Sequence, residues 1–165
     1  MKFIYCFVVV ALSVACTSTP KDQTESTASN PVSDLVKLKD LNGNSIDLSQ
    51  HEDKAIFVNF WATWCAPCIK EMPSLEKMQK AFGEDQPIVF FYASNEPLPK
   101  IKKFAEQKPW DLNYAQLDMS LEELSIYALP TTIIFKDGKV AWTETGSKIW
   151  DSEESISEIK TFINQ

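Results

Sequence analysis

The residues best suited to carry out chemistry are two cysteines separated by two positions, Cys65 and Cys68. Proteins use this spacing either for half of a four-ligand zinc site or for a redox-active dithiol. A zinc site would need a second pair of ligands, but the other two cysteines lie in the first sixteen residues and the single histidine is His51. We therefore predict a dithiol that carries the electrons itself, with no metal and no cofactor.

A structural disulfide is the other use that this pair allows. A bridge over two intervening residues closes a loop too short to stabilise the fold much. Residues 66–82 are predicted to form a helix, which places Cys65 at its N-terminus, where free backbone N–H groups and the helix dipole stabilise a thiolate. Cys68 follows one turn later, close enough to attack a mixed disulfide at Cys65. This position favours a reactive pair.

A carboxylate interrupts the apolar side of the same predicted helix. At 100° per residue, Cys68, Glu71, Leu75, Met78 and Phe82 fall within an arc of about 80°. Burial on that side would raise the pKa of Glu71, as expected of a group that exchanges protons with Cys68 near neutral pH. The alternative is that the side chain bends away from the stripe and lies on the surface.

The elements around the cysteines follow an α/β pattern. Residues 55–60 and 87–92 are short apolar runs, typical of strands that are buried on both faces, and the helix 66–82 lies between them. Strand, helix and strand in this order predict a parallel pair with a right-handed crossover. Upstream, the apolar segments 35–38 and 46–48 flank an Asn-Gly turn signal, which predicts an N-terminal β-hairpin.

The second half of the domain is predicted to add further helices and strands. The helices are 99–107, 121–127 and 152–163, and the strands are 113–117, 131–135 and 139–143, the last two joined by an Asp-Gly turn. Together with the first half, these elements predict one α/β domain with a mixed sheet flanked by helices.

The N-terminal residues predict export and a membrane tether. Residues 1–15 carry one Lys and an apolar run shorter than the roughly 20 residues of a bilayer-spanning helix, as in a secretory signal. They end in small residues before Cys16, like a bacterial lipoprotein signal with lipidation at Cys16; an ordinary cleaved signal and an uncleaved anchor are the alternatives. Residues 16–33, rich in Ser and Thr, are predicted to be a flexible tether, and 34–165 the folded domain.

A resemblance to a known family rests on the residues around the cysteines. Residues 59–68 read NFWATWCAPC, are followed by Glu71 and Pro73, and resemble the TlpA/ResA-like branch of the thioredoxin superfamily. The similarity continues at residues 129–132 and 136–139. It implies a thioredoxin fold with an N-terminal β-hairpin and a central insertion. It also implies extracytoplasmic thiol–disulfide exchange, commonly in the reductive direction.

The resemblance also implies roles for individual residues. Cys65 corresponds to the nucleophile and Cys68 to the resolving thiol, and a functional acid is placed at Glu71. Pro130 corresponds to a cis-proline that faces the dithiol and pairs with the substrate backbone. Leu129, just before it, would help to set substrate preference.

Two further residues near the motif carry predictions. Trp64 is expected to flank the exposed sulfur of Cys65 and to contact substrate. Asn59 stands where thioredoxins carry a buried Asp; because an amide cannot exchange protons, that role would pass to Glu71. The other tryptophans are expected to serve in packing or on the hydrophobic surface: Trp61, Trp110, Trp142 and Trp150.

The leading hypothesis is a membrane-tethered, extracytoplasmic enzyme that reduces protein disulfides. A membrane electron donor of the thioredoxin-reducing type would restore its dithiol, and apocytochrome c thiols are a target by family analogy alone. The alternatives are a disulfide-forming oxidant, a thiol peroxidase and a non-catalytic lipoprotein that binds a partner. The chain has no arginine, which counts against the peroxidase, and its net charge of −7 gives no electrostatic footprint for nucleic acid.

Overall fold

The computed structural model describes residues 32–83 and 86–163. Within them, the strands are β1 (Leu38–Lys39), β2 (Ala55–Phe60), β3 (Ile88–Ser94), β4 (Tyr114–Leu117), β5 (Thr131–Lys136) and β6 (Lys139–Thr145). The α-helices are α1 (Val32–Leu35), α2 (Ala66–Phe82), α3 (Leu98–Gln107) and α4 (Glu153–Ile163), and 3₁₀-helices cover Leu48–His51 and Glu122–Leu124.

The strands form a mixed sheet in the order β1-β4-β3-β2-β5-β6. The pairs β2–β3 and β3–β4 are parallel, whereas β1–β4, β2–β5 and β5–β6 are antiparallel. Helix α2 connects the parallel strands β2 and β3, as the order of the predicted elements required. The predicted α/β class, with a mixed sheet flanked by helices, is confirmed.

The central strand β2 is apolar almost throughout because both of its faces are covered. Its side chains alternate between two hydrophobic cores, with Phe57 in one and Ile56, Val58 and Phe60 in the other. Helix α2 contributes its apolar stripe, including Leu75, to the core that holds Phe57. Helix α2 therefore packs on the face of β2 that carries Phe57.

The N-terminal hairpin is smaller than predicted. Leu35 lies in α1 and Leu48 begins a 3₁₀-helix, which leaves a single bridge between Lys39 and Ser45. Helical structure takes up both ends of the predicted hairpin. The Asp47 side chain accepts a hydrogen bond from the backbone N–H of Ser49 and caps the 3₁₀-helix, while the other edge of β1 pairs with β4.

Most other predicted elements are present with small changes in their bounds. Helix α2 begins and ends where it was predicted, and β3 extends two residues beyond the predicted end of its strand. The predicted helix 121–127 is only the short 3₁₀-helix Glu122–Leu124, because Ser125 adopts a left-handed conformation at φ 58° and ends it. Val32 is buried and helical, so the fold includes the last two residues of the predicted tether 16–33.

The predicted signal sequence 1–15 and the predicted lipidation site Cys16 lie outside the described residues, as do tether residues 16–31. Among the helices of residues 32–83 and 86–163, none has the length and apolar character needed to cross a membrane.

Candidate active site

The two cysteines form a disulfide at the N-terminus of α2. Cys65 is the N-cap residue of the helix, and its Sγ accepts a hydrogen bond from the backbone N–H of Cys68 at 3.3 Å. An N–H donor and the positive end of the helix dipole both stabilise negative charge on sulfur. The geometry therefore suits a Cys65 thiolate in the reduced protein, as the sequence predicted.

The surface next to the disulfide is formed by exposed neighbours of Cys65. Trp64 is 71% exposed, and Ala66 and Pro67 are exposed as well. Cys65 itself is only 3% exposed and Cys68 is fully buried. The predicted nucleophile is thus more enclosed than expected, and the residues that precede and follow it have the larger exposed area.

The predicted cis peptide bond lies between Leu129 and Pro130. Pro130 is buried, and its carbonyl accepts a hydrogen bond from the backbone N–H of Gly146 at 2.8 Å. Leu129 is partly buried against the hydrophobic core that contains both cysteines. The cis bond is therefore present as predicted, whereas contact of these two residues with substrate remains a prediction.

Glu71 lies in the protein interior, with only 2% of its surface exposed. Three of the donors to its carboxylate lie at 3.0 Å. Asn59 Nδ2 donates to Oε1, whereas the backbone N–H of Lys148 and the indole N–H of Trp150 both donate to Oε2. The prediction that this carboxylate is buried one turn after Cys68 is confirmed, and the surface alternative is wrong.

The surroundings of Glu71 raise its pKa above the ordinary value of 4.5. Removal of the carboxylate from water is the largest cause, because it penalises the charged form. Hydrogen bonds from Trp150, Lys148, Asn59 and Ser147 act in the opposite direction and offset part of the increase. The group therefore has a greater proton affinity than an exposed glutamate, as proton exchange requires.

Asn59 joins Glu71 to the strand that follows Pro130. Its amide nitrogen donates to Glu71 and, at 2.9 Å, to Oγ1 of Thr132, its partner across β2 and β5. Asn59 is 1% exposed and does not titrate. The amide thus holds the carboxylate without exchanging protons, in agreement with the reasoning from the sequence.

The tryptophans pack as predicted, but one of them does more. Trp61 is 1% exposed, and Trp110 and Trp142 lie partly buried against the same core. Trp150 is fully buried and also donates its indole N–H to Glu71. No motif or spacing relates it to a residue that lies 79 positions earlier in the chain, so its hydrogen bond could not be predicted.

A second carboxylate near the cysteines was also missed. Glu96 follows β3 and is 8% exposed. Its oxygens accept hydrogen bonds from the Thr63 backbone N–H at 2.6 Å and the Thr63 hydroxyl at 2.9 Å, and Lys100 Nζ lies 2.5 Å away. Glu96 therefore holds the turn that leads from β2 into Cys65.

The pKa of Glu96 is lowered, in contrast to that of Glu71. Burial is the largest single influence and would raise it, but the hydrogen bonds from Lys100 and Thr63 and the positive charge of Lys100 together outweigh burial. Glu96 is thus an ionised structural anchor at neutral pH rather than a group that exchanges protons.

Comparison with known proteins agrees with this site. Residues 25–161 match the sequence profile of the Redoxin family. The chain belongs to the Redoxin family. It is 32% identical over 127 residues to the thiol-disulfide oxidoreductase ResA of Halalkalibacterium halodurans, an alignment that spans 74% of this chain and 71% of that protein.

Two other matches agree with this result. ResA of Bacillus subtilis is 36% identical over 115 residues, which span 67% of this chain and 63% of that protein. The solution structure of a thiol:disulfide interchange protein from Bacteroides sp. is 27% identical, with a TM-score of 0.65, and covers 79% of this chain and 86% of that one. The thioredoxin-like fold and the resemblance to the TlpA/ResA-like branch are confirmed, and this Redoxin-family chain is a thiol–disulfide oxidoreductase.

We predict that Glu96→Gln destabilises the protein by about 1–3 kcal/mol at pH 7, because Gln presents an N–H₂ group where Thr63 and Lys100 need acceptors. Since the pKa of Glu96 is lower in the folded state, the stability that it contributes is present above its ordinary pKa of 4.5. This contribution is lost as the pH falls through the lowered pKa. Urea unfolding at pH 7 and at about pH 3 should therefore show a smaller effect in acid.

The matched control is Glu106→Gln, which makes the same change at an exposed position of α3. It should leave the free energy of unfolding within about 0.5 kcal/mol of the wild type at both pH values. An equal loss of stability for Glu96→Gln at both pH values would show that its charge is not what holds Thr63.

Proposed function

We propose that this chain is a membrane-tethered, extracytoplasmic oxidoreductase that reduces protein disulfides through Cys65 and Cys68. The observation that carries the proposal is the placement of this pair at a helix N-terminus, with the interior carboxylate of Glu71 one turn further along the same helix. Further support comes from relatives that are named thiol-disulfide oxidoreductases.

The reaction begins with the reduced pair and a disulfide in a substrate protein. The Cys65 thiolate attacks one substrate sulfur, which forms a mixed disulfide and releases the other substrate sulfur as a thiolate. The Cys68 thiolate then attacks the Cys65 sulfur and releases the second substrate sulfur. Two electrons pass to the substrate, which takes up two protons overall, and the enzyme ends as the Cys65–Cys68 disulfide.

Glu71 supplies the proton exchange that the second step needs. Cys68 is buried, and burial in apolar surroundings disfavours its thiolate. The ionised Glu71 carboxylate accepts the Cys68 proton, and its raised pKa strengthens it as a base. Glu71 thus makes the Cys68 thiolate available after the mixed disulfide has formed.

The proton on Glu71 has a route to solvent that does not pass the cysteines. A groove of about 390 Å³ lies between α2 and residues 147–151. Glu71 lines this groove together with Ser74 and Lys148, whereas neither cysteine does. A substrate bound over Cys65 would therefore leave proton exchange at Glu71 undisturbed.

The substrate is proposed to dock at the exposed residues around Cys65. Trp64 would provide apolar contact area, and Leu129 and Pro130 would contact the substrate backbone, as the resemblance to the TlpA/ResA-like branch implies. Oxidised protein thiols such as those of an apocytochrome c are the proposed substrate class. A membrane electron donor of the thioredoxin-reducing type would return two electrons to the disulfide, and lipidation at Cys16 would keep the domain near that donor.

We predict that Cys65→Ala abolishes reduction of a model peptide disulfide, since the remaining thiol of the pair, Cys68, is fully buried. Cys68→Ala should still attack once and should accumulate a mixed disulfide between Cys65 and the peptide, because resolution is blocked. Mass spectrometry of the non-reduced full chain measures both results. The double variant keeps Cys6 and Cys16 and is the control for peptide trapped by those thiols; turnover, or trapping above that background, without Cys65 would favour a non-catalytic role for this pair.

We predict that Glu71→Gln slows peptide reduction about 100-fold at neutral pH, a typical loss when a general acid–base is removed. The ionised carboxylate is the active form, so the wild-type rate should rise with pH through a midpoint above 4.5, and that rise should be lost in the variant. The rate is measured by quenched-flow between pH 4 and 9, about the range in which the reacting groups titrate.

The control for this variant is Glu76→Gln, which changes a second glutamate of α2 whose partners are Lys80 and the backbone of Asp111. It should keep both the rate and the pH dependence. An unchanged pH–rate profile in Glu71→Gln would exclude Glu71 as the proton acceptor.

A further inference from the structure

We infer that Trp150 is a positioning residue that fixes the Glu71 carboxylate through its indole N–H. The inference rests on the proposed role of Glu71 in proton exchange and names a residue, far away in the chain, on which that role depends. The indole nitrogen lies 3.0 Å from Glu71 Oε2, and the Trp150 side chain is fully buried. No solvent molecule can therefore replace this donor without a rearrangement of the core.

The donors to Glu71 divide between its two oxygens in a way that sets its orientation. Asn59 donates a hydrogen bond to Oε1, while the Lys148 backbone N–H and the Trp150 indole N–H donate to Oε2. Rotation of the carboxylate would break at least one of these bonds inside the core, where an unpaired polar group is costly. Asn59 divides its amide hydrogens between Glu71 and Thr132, whereas the indole of Trp150 has a single N–H and donates it to Glu71.

The Trp150 ring packs against two other aromatic rings. It meets Phe57 of β2 edge-to-face, with ring centroids 5.3 Å apart, and Trp142 of β6 in the same manner at 6.2 Å. Such contacts prefer a defined geometry. The direction of the indole N–H is therefore set by the sheet, independently of Glu71.

The backbone of Trp150 is tied to the same turn of α2. Its N–H donates to the Ser74 hydroxyl at 3.2 Å, and that hydroxyl donates to the Glu71 carbonyl at 2.7 Å. Main chain and side chain of Trp150 thus both connect to Glu71. The distance between the indole and the carboxylate is fixed from two directions, as positioning requires.

Other titratable or charged groups around Glu71 do not substitute for the indole. They are Cys68, Lys70 and Lys77 on α2, Tyr92 on β3, and Lys148 and Asp151 after β6. Lys148 Nζ pairs with Glu158, Lys77 pairs with Asp151, and the buried Tyr92 stays neutral because burial raises its pKa well above the ordinary value. The indole is a neutral donor that does not titrate, so it can donate to the ionised carboxylate at any pH at which Glu71 is charged.

The test compares two tryptophans of the same aromatic cluster. Trp150→Phe and Trp142→Phe each remove an indole and keep an aromatic ring, but of these two tryptophans it is Trp150 whose indole N–H donates to Glu71. The full chain is labelled with ¹³C at the glutamate carboxyl groups and titrated by NMR, and the Glu71 signal is identified by its absence in Glu71→Gln. We expect Trp150→Phe to raise the Glu71 midpoint by about one to two pH units, and Trp142→Phe to leave it unchanged.

A second variant distinguishes loss of the indole N–H from a general loss of packing. Site-specific incorporation of β-(3-benzothienyl)alanine at position 150 keeps the shape of the ring system and replaces only the N–H by sulfur. It should raise the midpoint as Trp150→Phe does. A Glu71 midpoint that stays at the wild-type value in this variant, with the fold intact by near-ultraviolet circular dichroism, overturns the inference.

The pH–rate profile separates this inference from the proposed function. If both hold, the midpoint of peptide reduction moves upward with the NMR midpoint in the Trp150 variants. A rate profile that stays fixed while the NMR midpoint moves contradicts proton exchange at Glu71 but leaves Trp150 as the group that positions the carboxylate. A profile that responds to Glu71→Gln, together with rate and NMR midpoints that both stay at the wild-type value in the Trp150 variants, overturns the inference alone.

Discussion

The site depends on a carboxylate that is kept inside the protein. A buried charge is costly unless donors compensate it, and Glu71 receives them from β2, from the loop after β6 and from Trp150. Compensation is incomplete, so the pKa of Glu71 stays above its ordinary value. The stability that the protonated form contributes at low pH is therefore lost as the pH rises through the raised pKa, and the fold gives up stability to keep a carboxylate one helical turn after Cys68.

The two buried carboxylates near the dithiol have opposite properties because their partners differ. Glu96 has a positive partner, Lys100, and a lowered pKa, whereas the donors to Glu71 are neutral and its pKa is raised. Environments that separate the pKa values of two acids commonly separate their roles. Here Glu96 holds the turn at Thr63 in place, and Glu71 remains free to gain and lose a proton.

The sequence predicts the parts of this arrangement that depend on local spacing. The position of Cys65 before a helix and the inward direction of Glu71 follow from helical periodicity, and both are confirmed. The cis bond before Pro130 followed from the resemblance to a family. By contrast, Trp150 and Glu96 reach the site from distant segments through tertiary packing, which no periodicity encodes. The N-terminal hairpin was overestimated because α1 and the capped 3₁₀-helix take up its predicted ends.

The most direct test of the account is the equilibrium reduction potential of the Cys65–Cys68 pair in the full chain. A protein that reduces disulfides should have a potential at or below about −250 mV, close to that of thioredoxin. Equilibration with glutathione or dithiothreitol buffers at pH 7, followed by alkylation and mass spectrometry, gives this value. A potential near about −120 mV would identify an oxidant that donates disulfides, and would contradict the reductive function proposed for this chain.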